Sequence, residues 1–151
     1  MTHEDDLRSW AKGSYTSEAG TELLLRAFGG RYAAVGNPWV HASGTSTEGY
    51  IENAWIDFEA LGEHANNGPY SGGERRFLLL AASLAENVPV VLSEVVPGLD
   101  RQNLDLVLAA IAHAGGSHQH SNIQTNDDGS MTLHPGYLDS LHPWPRSLRA
   151  V

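Results

Sequence analysis

The chain contains no cysteine among its 151 residues. A disulfide framework, a thiolate metal site and a cysteine nucleophile are therefore all excluded. Basic residues are also scarce, because the chain has only 9 lysines and arginines against 18 aspartates and glutamates, and Lys12 is the only lysine. The formal net charge of −9 is spread along the chain, which argues against a nucleic-acid partner.

Long apolar runs are absent as well. No apolar segment is long enough to cross a membrane, and the acidic start of the chain lacks the positive and apolar regions of a secretory signal. We therefore expect a soluble, cytoplasmic protein with no membrane partner. The length suits one domain with a single core.

Three segments have helical patterns. Residues 17–28 and 101–114 place apolar side chains at helical spacing, and residues 72–86 are apolar nearly all round, so this helix should be innermost. Asp100 is the expected N-cap of the helix at 101–114. The side chains expected to face the core from that helix are Leu104, Val107, Leu108 and Ile111.

Extended patterns occupy the rest of the predicted core. Residues 31–42 indicate two short strands that meet at a turn, and residues 50–58 alternate as a strand does. Residues 117–134 predict a hairpin with its turn at 126–129. The sequence therefore predicts an α+β fold, with a small, mainly antiparallel sheet from residues 31–60 and 117–134 packed against about three helices.

The same patterns suggest how the chain is divided. Residues 1–16 are polar and predict a loosely held arm or a short helical turn. Residues 17–142 should form the single domain, and residues 143–151 an irregular tail. Polar loops are expected at residues 43–49 and 63–68.

The segment 70–77, Tyr-Ser-Gly-Gly-Glu-Arg-Arg-Phe, resembles the signature motif of ABC-type ATPases. That family holds phosphates with a glycine-rich loop ending in Gly-Lys-Ser or Gly-Lys-Thr, and this sequence has no such loop. Ser93 also stands where the family has its metal-binding aspartate. A capping box at the start of a helix accounts for the same residues. In it, Ser71 accepts a hydrogen bond from a backbone amide, and the Glu74 side chain accepts one from the Ser71 amide. We therefore interpret this resemblance as coincidental.

A second resemblance covers about a third of the chain. Residues 71–116 resemble a helical pair found in small uncharacterised proteins of high-GC, actinobacterial genomes and their mobile elements. It rests on Ser-Gly-Gly-Glu-Arg-Arg at 71–76, Gly-Leu-Asp-Arg-Gln-Asn at 98–103 and Ala-Ala-Ile-Ala-His-Ala-Gly at 109–115. The resemblance implies a shared packing unit and brings no functional residue with it.

Histidines form the main candidate for chemistry. His113, His118 and His120 lie within eight positions, and the predicted hairpin brings His134 near them. Two neutral imidazoles on alternate strand positions can reach one Zn²⁺, and a third ligand would leave an open coordination position. The pattern lacks the helical His-Glu-x-x-His spacing. A polar hairpin with surface histidines is the competing interpretation.

Aromatic side chains are the other candidate for binding. Trp39, Trp55 and Trp144, with Tyr32 and Tyr50, could form a patch that anchors a partner, and core packing is the alternative. The strong patterns of the chain build a core, and no catalytic constellation can be assigned. We therefore favour a non-enzymatic protein that acts through contacts with a protein partner or with its own copy.

Two alternatives remain open at this point. The first is a histidine-based metal-binding protein or metal-dependent hydrolase, in which zinc would be the cofactor. The second is an accessory subunit of a nucleotide-dependent assembly, which would present residues 71–74 to a nucleotide held by another subunit.

Overall fold

The computed structural model describes residues 2–42 and 54–146. Within these residues the chain forms six α-helices and two antiparallel sheets of two strands each, which confirms the predicted α+β fold. The helices are α1 (His3–Ala11), α2 (Tyr15–Arg26), α3 (Phe58–Asn67), α4 (Gly72–Ala85), α5 (Leu92–Val95) and α6 (Arg101–Ala114). The strands are β1 (Val40–His41), β2 (Trp55–Ile56), β3 (Ser121–Thr125) and β4 (Met131–Tyr137). None of the described helices has the length and apolar character needed to span a membrane.

Helix α4 lies at the centre of the core, as its apolar sequence predicts. Phe77, Leu78 and Ala81 are completely buried. The helix contacts α2, α3, α5 and α6, so its apolar sides all meet other helices. Burial of this kind supplies most of the free energy of folding in a domain of this size.

The start of α4 differs from the predicted capping box. The Ser71 hydroxyl accepts a hydrogen bond from the Glu74 amide at 3.2 Å, as an N-cap does. The Glu74 carboxylate is engaged elsewhere, because Oε1 accepts from the Ser71 hydroxyl at 3.1 Å and Oε2 pairs with Arg31 at 2.8 Å and with the Tyr32 hydroxyl. Glu74 therefore ties α4 to the segment after α2 instead of closing the cap.

Helix α6 has the predicted bounds, and Asp100 caps it by accepting from the Asn103 amide at 2.7 Å. The predicted buried stripe is wrong in part. Val107 is buried, but Leu108 and Ile111 are about half exposed. Because α2 and α4 cover only one side of α6, the buried positions are taken by Leu106, Val107, Ala109 and Ala110, and Leu108 and Ile111 remain outside.

The N-terminal segment is a longer helix than the sequence indicates. Helix α1 begins with a full capping box between Thr2 and Asp5, and it packs on α2. Leu7 is completely buried and Ala11 nearly so. These two side chains lie four residues apart and form a narrow apolar stripe on one side of α1. Because the surrounding residues are polar, the composition of the segment does not reveal this stripe.

The predicted sheet is divided into two separate pairs of strands. In residues 31–42 the only strand is β1, which pairs with β2 over two residues. Ala54, Ile56 and Phe58 are buried as the alternating pattern predicts, but Phe58 opens α3. Asp57 caps that helix by accepting from the Ala60 amide at 3.0 Å.

Helix α3 also corrects the predicted loop at residues 63–68. All but the last of these residues lie in α3. The buried residues Leu61 and Ala65 are four positions apart, as on one side of a helix, and the polar residues of this segment lie on the side of α3 that faces solvent. The predicted loop at 43–49, the start of the predicted strand at 50–58 and the last five residues of the predicted tail lie outside the described residues.

Gly20 allows α2 to pack directly on α4. A Cβ atom at this position would lie 2.6 Å from the Cβ of Ala85 and 3.2 Å from the carbonyl oxygen of Ala81. Neither atom can move away easily, since both belong to the central helix. We expect Gly20→Ala to lower the free energy of unfolding by about 1–3 kcal/mol in urea denaturation, because the helices must separate.

Gly73→Ala is the matched control for this prediction. A Cβ at Gly73, in the first turn of α4, would meet only the Gly98 carbonyl oxygen at 3.9 Å. Alanine is intrinsically favoured over glycine in a helix by roughly 0.5–1 kcal/mol, so this variant should be neutral or more stable. A Gly20→Ala variant as stable as Gly73→Ala would show that the close contact is unimportant.

Candidate functional site

The hairpin of β3 and β4 forms with its turn where the sequence predicts it, but its first strand begins at Ser121, and residues 117–119, including His118, form a short 3-10 turn instead of a strand. Ile123 pairs with Leu133, and Thr125 pairs with Met131, so these four residues share one face. Gln124 pairs with Thr132 on the other face. The turn between the strands uses Gly129 at a φ of 84°, where a glycine is favoured.

The polar face of the hairpin is satisfied by its own hydrogen bonds. The Asn126 amide donates to the Thr132 hydroxyl at 2.7 Å, and His134 Nε2 lies 3.0 Å from Gln124 Oε1. These bonds require no partner from the rest of the protein.

The opposite face is apolar and uncovered. Ile123, Met131 and Leu133 are 54%, 70% and 71% exposed, and we call these three residues the hairpin apolar face. In the usual antiparallel sheet the apolar face packs on the core. Here, among the described elements, the extensive contacts of each strand are with the other strand alone. The chain continues with more exposed apolar side chains, which are Tyr137, Leu138 and Leu141.

The base of the hairpin is attached to α6. The Ser117 hydroxyl donates to the Ala112 carbonyl at 2.9 Å and accepts from the Leu141 amide at 3.1 Å. His142 Nε2 lies 2.6 Å from an Asp105 carboxylate oxygen. The hairpin therefore projects from a fixed point at the end of α6.

A second candidate is a cleft between α1, α2, α6 and the segment before the C-terminus. Its volume is about 210 Å³. Glu22 organises one wall by pairing with Arg8 Nε and with Arg26 Nε, each at 2.7 Å. Burial acts to raise the pKa of Glu22, but the two guanidinium groups outweigh it and hold that pKa below its ordinary value. Glu22 is therefore a carboxylate near neutral pH.

Trp144 forms another wall of this cleft. The Arg26 guanidinium lies 4.8 Å from the centre of the indole ring and donates to the Pro145 carbonyl at 3.2 Å. Arginine on the face of tryptophan is an attractive arrangement. These contacts hold the C-terminal segment against α2.

A histidine pair lies at the end of the cleft. The rings of His113 and His118 are stacked, with centroids 4.2 Å apart and planes 11° from parallel, and the edge of Tyr15 meets His118. His113 Nε2 lies 2.8 Å from Glu18 Oε1, and Glu18 also accepts from the Gly13 amide. Burial acts to raise the pKa of Glu18, but these hydrogen bonds lower it overall.

His118 occupies a different environment from its neighbour. Its Nδ1 is buried without a hydrogen-bond partner in the described residues. Burial, followed by the charge of His113, lowers the pKa of His118 from its ordinary value of 6.5. The neutral imidazole is therefore favoured in the folded protein.

The four histidines of the sequence hypothesis are only partly brought together. His113 and His118 stack, whereas His120 is exposed at the start of β3 and His134 bonds to Gln124 in the hairpin. In the parts of the chain that the structure describes, no three histidine, aspartate or glutamate side chains are placed to hold a metal ion. The geometry thus gives no support to a zinc site.

The aromatic residues that the sequence predicts to form a patch lie in different parts of the structure. Trp39 is buried and donates to the Tyr32 carbonyl at 2.8 Å, so both aromatic residues serve the core. Trp55 stacks on His41, with ring centroids 4.3 Å apart. The predicted patch is therefore dispersed, and Tyr50 lies outside the described residues.

Sequence reasoning did not identify the cleft, although one signal was present. Glu18, Glu22 and Arg26 are spaced by four residues, which places them on one side of α2. Their partners Arg8 and His113 come from α1 and α6, and only the packing of these helices reveals the combination.

No protein-family model, curated protein or solved structure matches this chain. The resemblance of residues 71–116 to actinobacterial proteins therefore stays a prediction.

The lowered pKa of His118 predicts a loss of stability in acid. The unfolded chain binds a proton at His118 more readily than the folded protein, so stability present above pH 6.5 falls as the pH is lowered through that value. We expect His118→Phe, which keeps the aromatic stack, to lose less melting temperature than the wild type between about pH 7.5 and 5.5.

His120→Phe supplies the control, because it makes the same change at an exposed histidine. Its melting temperature should follow the wild-type dependence on pH. If His118→Phe also follows the wild type, the buried environment of His118 does not matter for stability.

Proposed function

We propose that this protein is non-enzymatic and acts through protein contacts, with the hairpin apolar face of one copy packed on that of a second copy. The observation that supports the proposal is a hairpin whose polar face is internally bonded and whose apolar face is bare. A two-stranded hairpin is marginally stable in water without a surface to pack on. A second copy would supply that surface.

Large exposed apolar side chains are concentrated at and after the hairpin. The hairpin apolar face and the exposed residues that follow it comprise six large side chains, each about half to nine-tenths exposed. A typical interface buries roughly 800 Å² on each partner, and the hairpin apolar face would supply the apolar centre of such an interface. Contact between identical patches is also the arrangement found in the commonest oligomers, symmetric dimers.

Charge favours a second copy at this position. The six side chains are uncharged, although the whole chain carries a net charge of −9. Ile123, Met131 and Leu133 of two copies can therefore meet without like charges between them, and Asp139 lies among the apolar residues that follow the hairpin.

The hairpin favours packing of faces over pairing of edges. Pro135 in β4 has no N–H to donate to a further strand. The register between Ser121 and Ile123 is also irregular. We therefore propose that two hairpins stack face to face at about 10 Å, as sheets do in a sandwich.

The mass of the protein in solution tests the dimer. The chain has a mass of 16.3 kDa, and we expect sedimentation equilibrium to show an average mass that rises toward twice this value with concentration. Leu133→Lys places a charge in the interface and should weaken dimerisation by roughly tenfold or more.

Thr132→Lys is the matched control, because it adds the same charge at the next residue on the polar face of the hairpin. Its dimerisation should match the wild type, and circular dichroism should show both variants folded. A wild-type protein that stays monomeric at high concentration, or equal weakening by both variants, would refute the proposal.

A further inference from the structure

We propose that the cleft between α1, α2 and α6 binds a small organic anion, in which a carboxylate or phosphate group is joined to a flat apolar group. This inference is independent of the proposed dimer, since it rests on other residues. It assigns a ligand site to the part of the surface where positive charge is concentrated.

Positive charge gathers at this cleft in an otherwise acidic protein. Arg8, Lys12 and Arg26 line it, which is 3 of the 9 basic side chains in the chain. The carboxylates in the same lining are Glu18 and Glu22. Within the lining itself, three cations against two carboxylates leave an excess of one positive charge, and Glu4 and Asp5 lie outside it near Arg8.

The carboxylates are already committed to protein partners. Glu22 bonds to both arginines, and Glu18 bonds to His113 and to the Gly13 amide. Lys12 is exposed and makes no ion pair among the described residues. Its ammonium group is therefore available to an incoming anion.

The remaining lining suits an apolar group with a polar end. Trp144 and Ala11 supply apolar surface to the lining, and Arg26 covers one face of the indole ring. Thr21 lies at the buried side of the cleft, and its hydroxyl has no hydrogen-bond partner in the described residues. An unpaired buried hydroxyl costs free energy, which a ligand oxygen that reached it would offset.

The volume limits the size of the ligand. A cleft of about 210 Å³ is smaller than the roughly 300–1,000 Å³ of a typical drug-sized site, so it suits a ligand as small as a single ring with one anionic substituent. Carboxylates and phosphates share the chemistry that arginine and lysine recognise. Separate probes must therefore distinguish them.

Calorimetric titration and melting temperature provide the test. We expect benzoate or phenyl phosphate to bind saturably and to raise the melting temperature. The stronger of the two identifies the anionic group. Benzamide, which lacks the charge, and acetate, which lacks the ring, should both bind more weakly.

Three variants locate the binding. Lys12→Gln removes a solvent-exposed cation without breaking an ion pair of the described residues, and it should weaken the preferred probe by about two- to fivefold. Arg101→Gln removes an exposed cation from the start of α6, outside the cleft, and should leave the affinity unchanged. Trp144→Leu should weaken the phenyl-bearing probes more than it weakens acetate.

Several results would overturn the inference. They are an absence of saturable binding by both benzoate and phenyl phosphate at millimolar concentration, equal binding of benzamide, and equal effects of Lys12→Gln and Arg101→Gln. The last result would show a general effect of net charge and no site.

Discussion

The packing of α2 across α4 is the contact on which both the core and the cleft depend. Gly20 brings the two backbones together, because any larger residue would meet Ala85 and the Ala81 carbonyl. Residues two positions before and after Gly20 lie on the far side of the helix. The contact that buries one side of α2 therefore turns Glu18 and Glu22 toward α1 and α6.

The lining of the cleft brings together three of the nine basic side chains of this acidic protein. Glu22 is shared by Arg8 and Arg26, so each guanidinium is held in place while only one carboxylate is used. The arrangement also fixes the C-terminal segment, since Arg26 contacts Trp144 and Pro145. Helices α1 and α2 and the C-terminal segment are thereby joined at one place, and the geometry of the cleft follows from their packing.

Unlike the cleft, the hairpin does not depend on the packing of the helices. It adds little to the core, and its hydrogen bonds are mostly its own. Its attachment through Ser117 and Asp105 positions it at the end of α6 and leaves its larger apolar side chains in solvent. The helices thus form the packed core of the domain, and the hairpin carries an exposed apolar surface of the kind that marks sites of interaction with other proteins.

Local patterns in the sequence determined several elements of this protein, although most of α3 lies where the sequence predicts a loop. The apolar run of α4, the Asp100 cap of α6 and the turn of the hairpin were predictable, because periodicity, capping and turn chemistry act between near neighbours in the chain. Only the tertiary structure decided which apolar side chains are buried. Val107 and Ile111 look alike in sequence, and the second is exposed because no described helix covers that side of α6. The cleft and the uncovered hairpin likewise depend on distances between segments that are far apart in the chain, and no local pattern contains those distances.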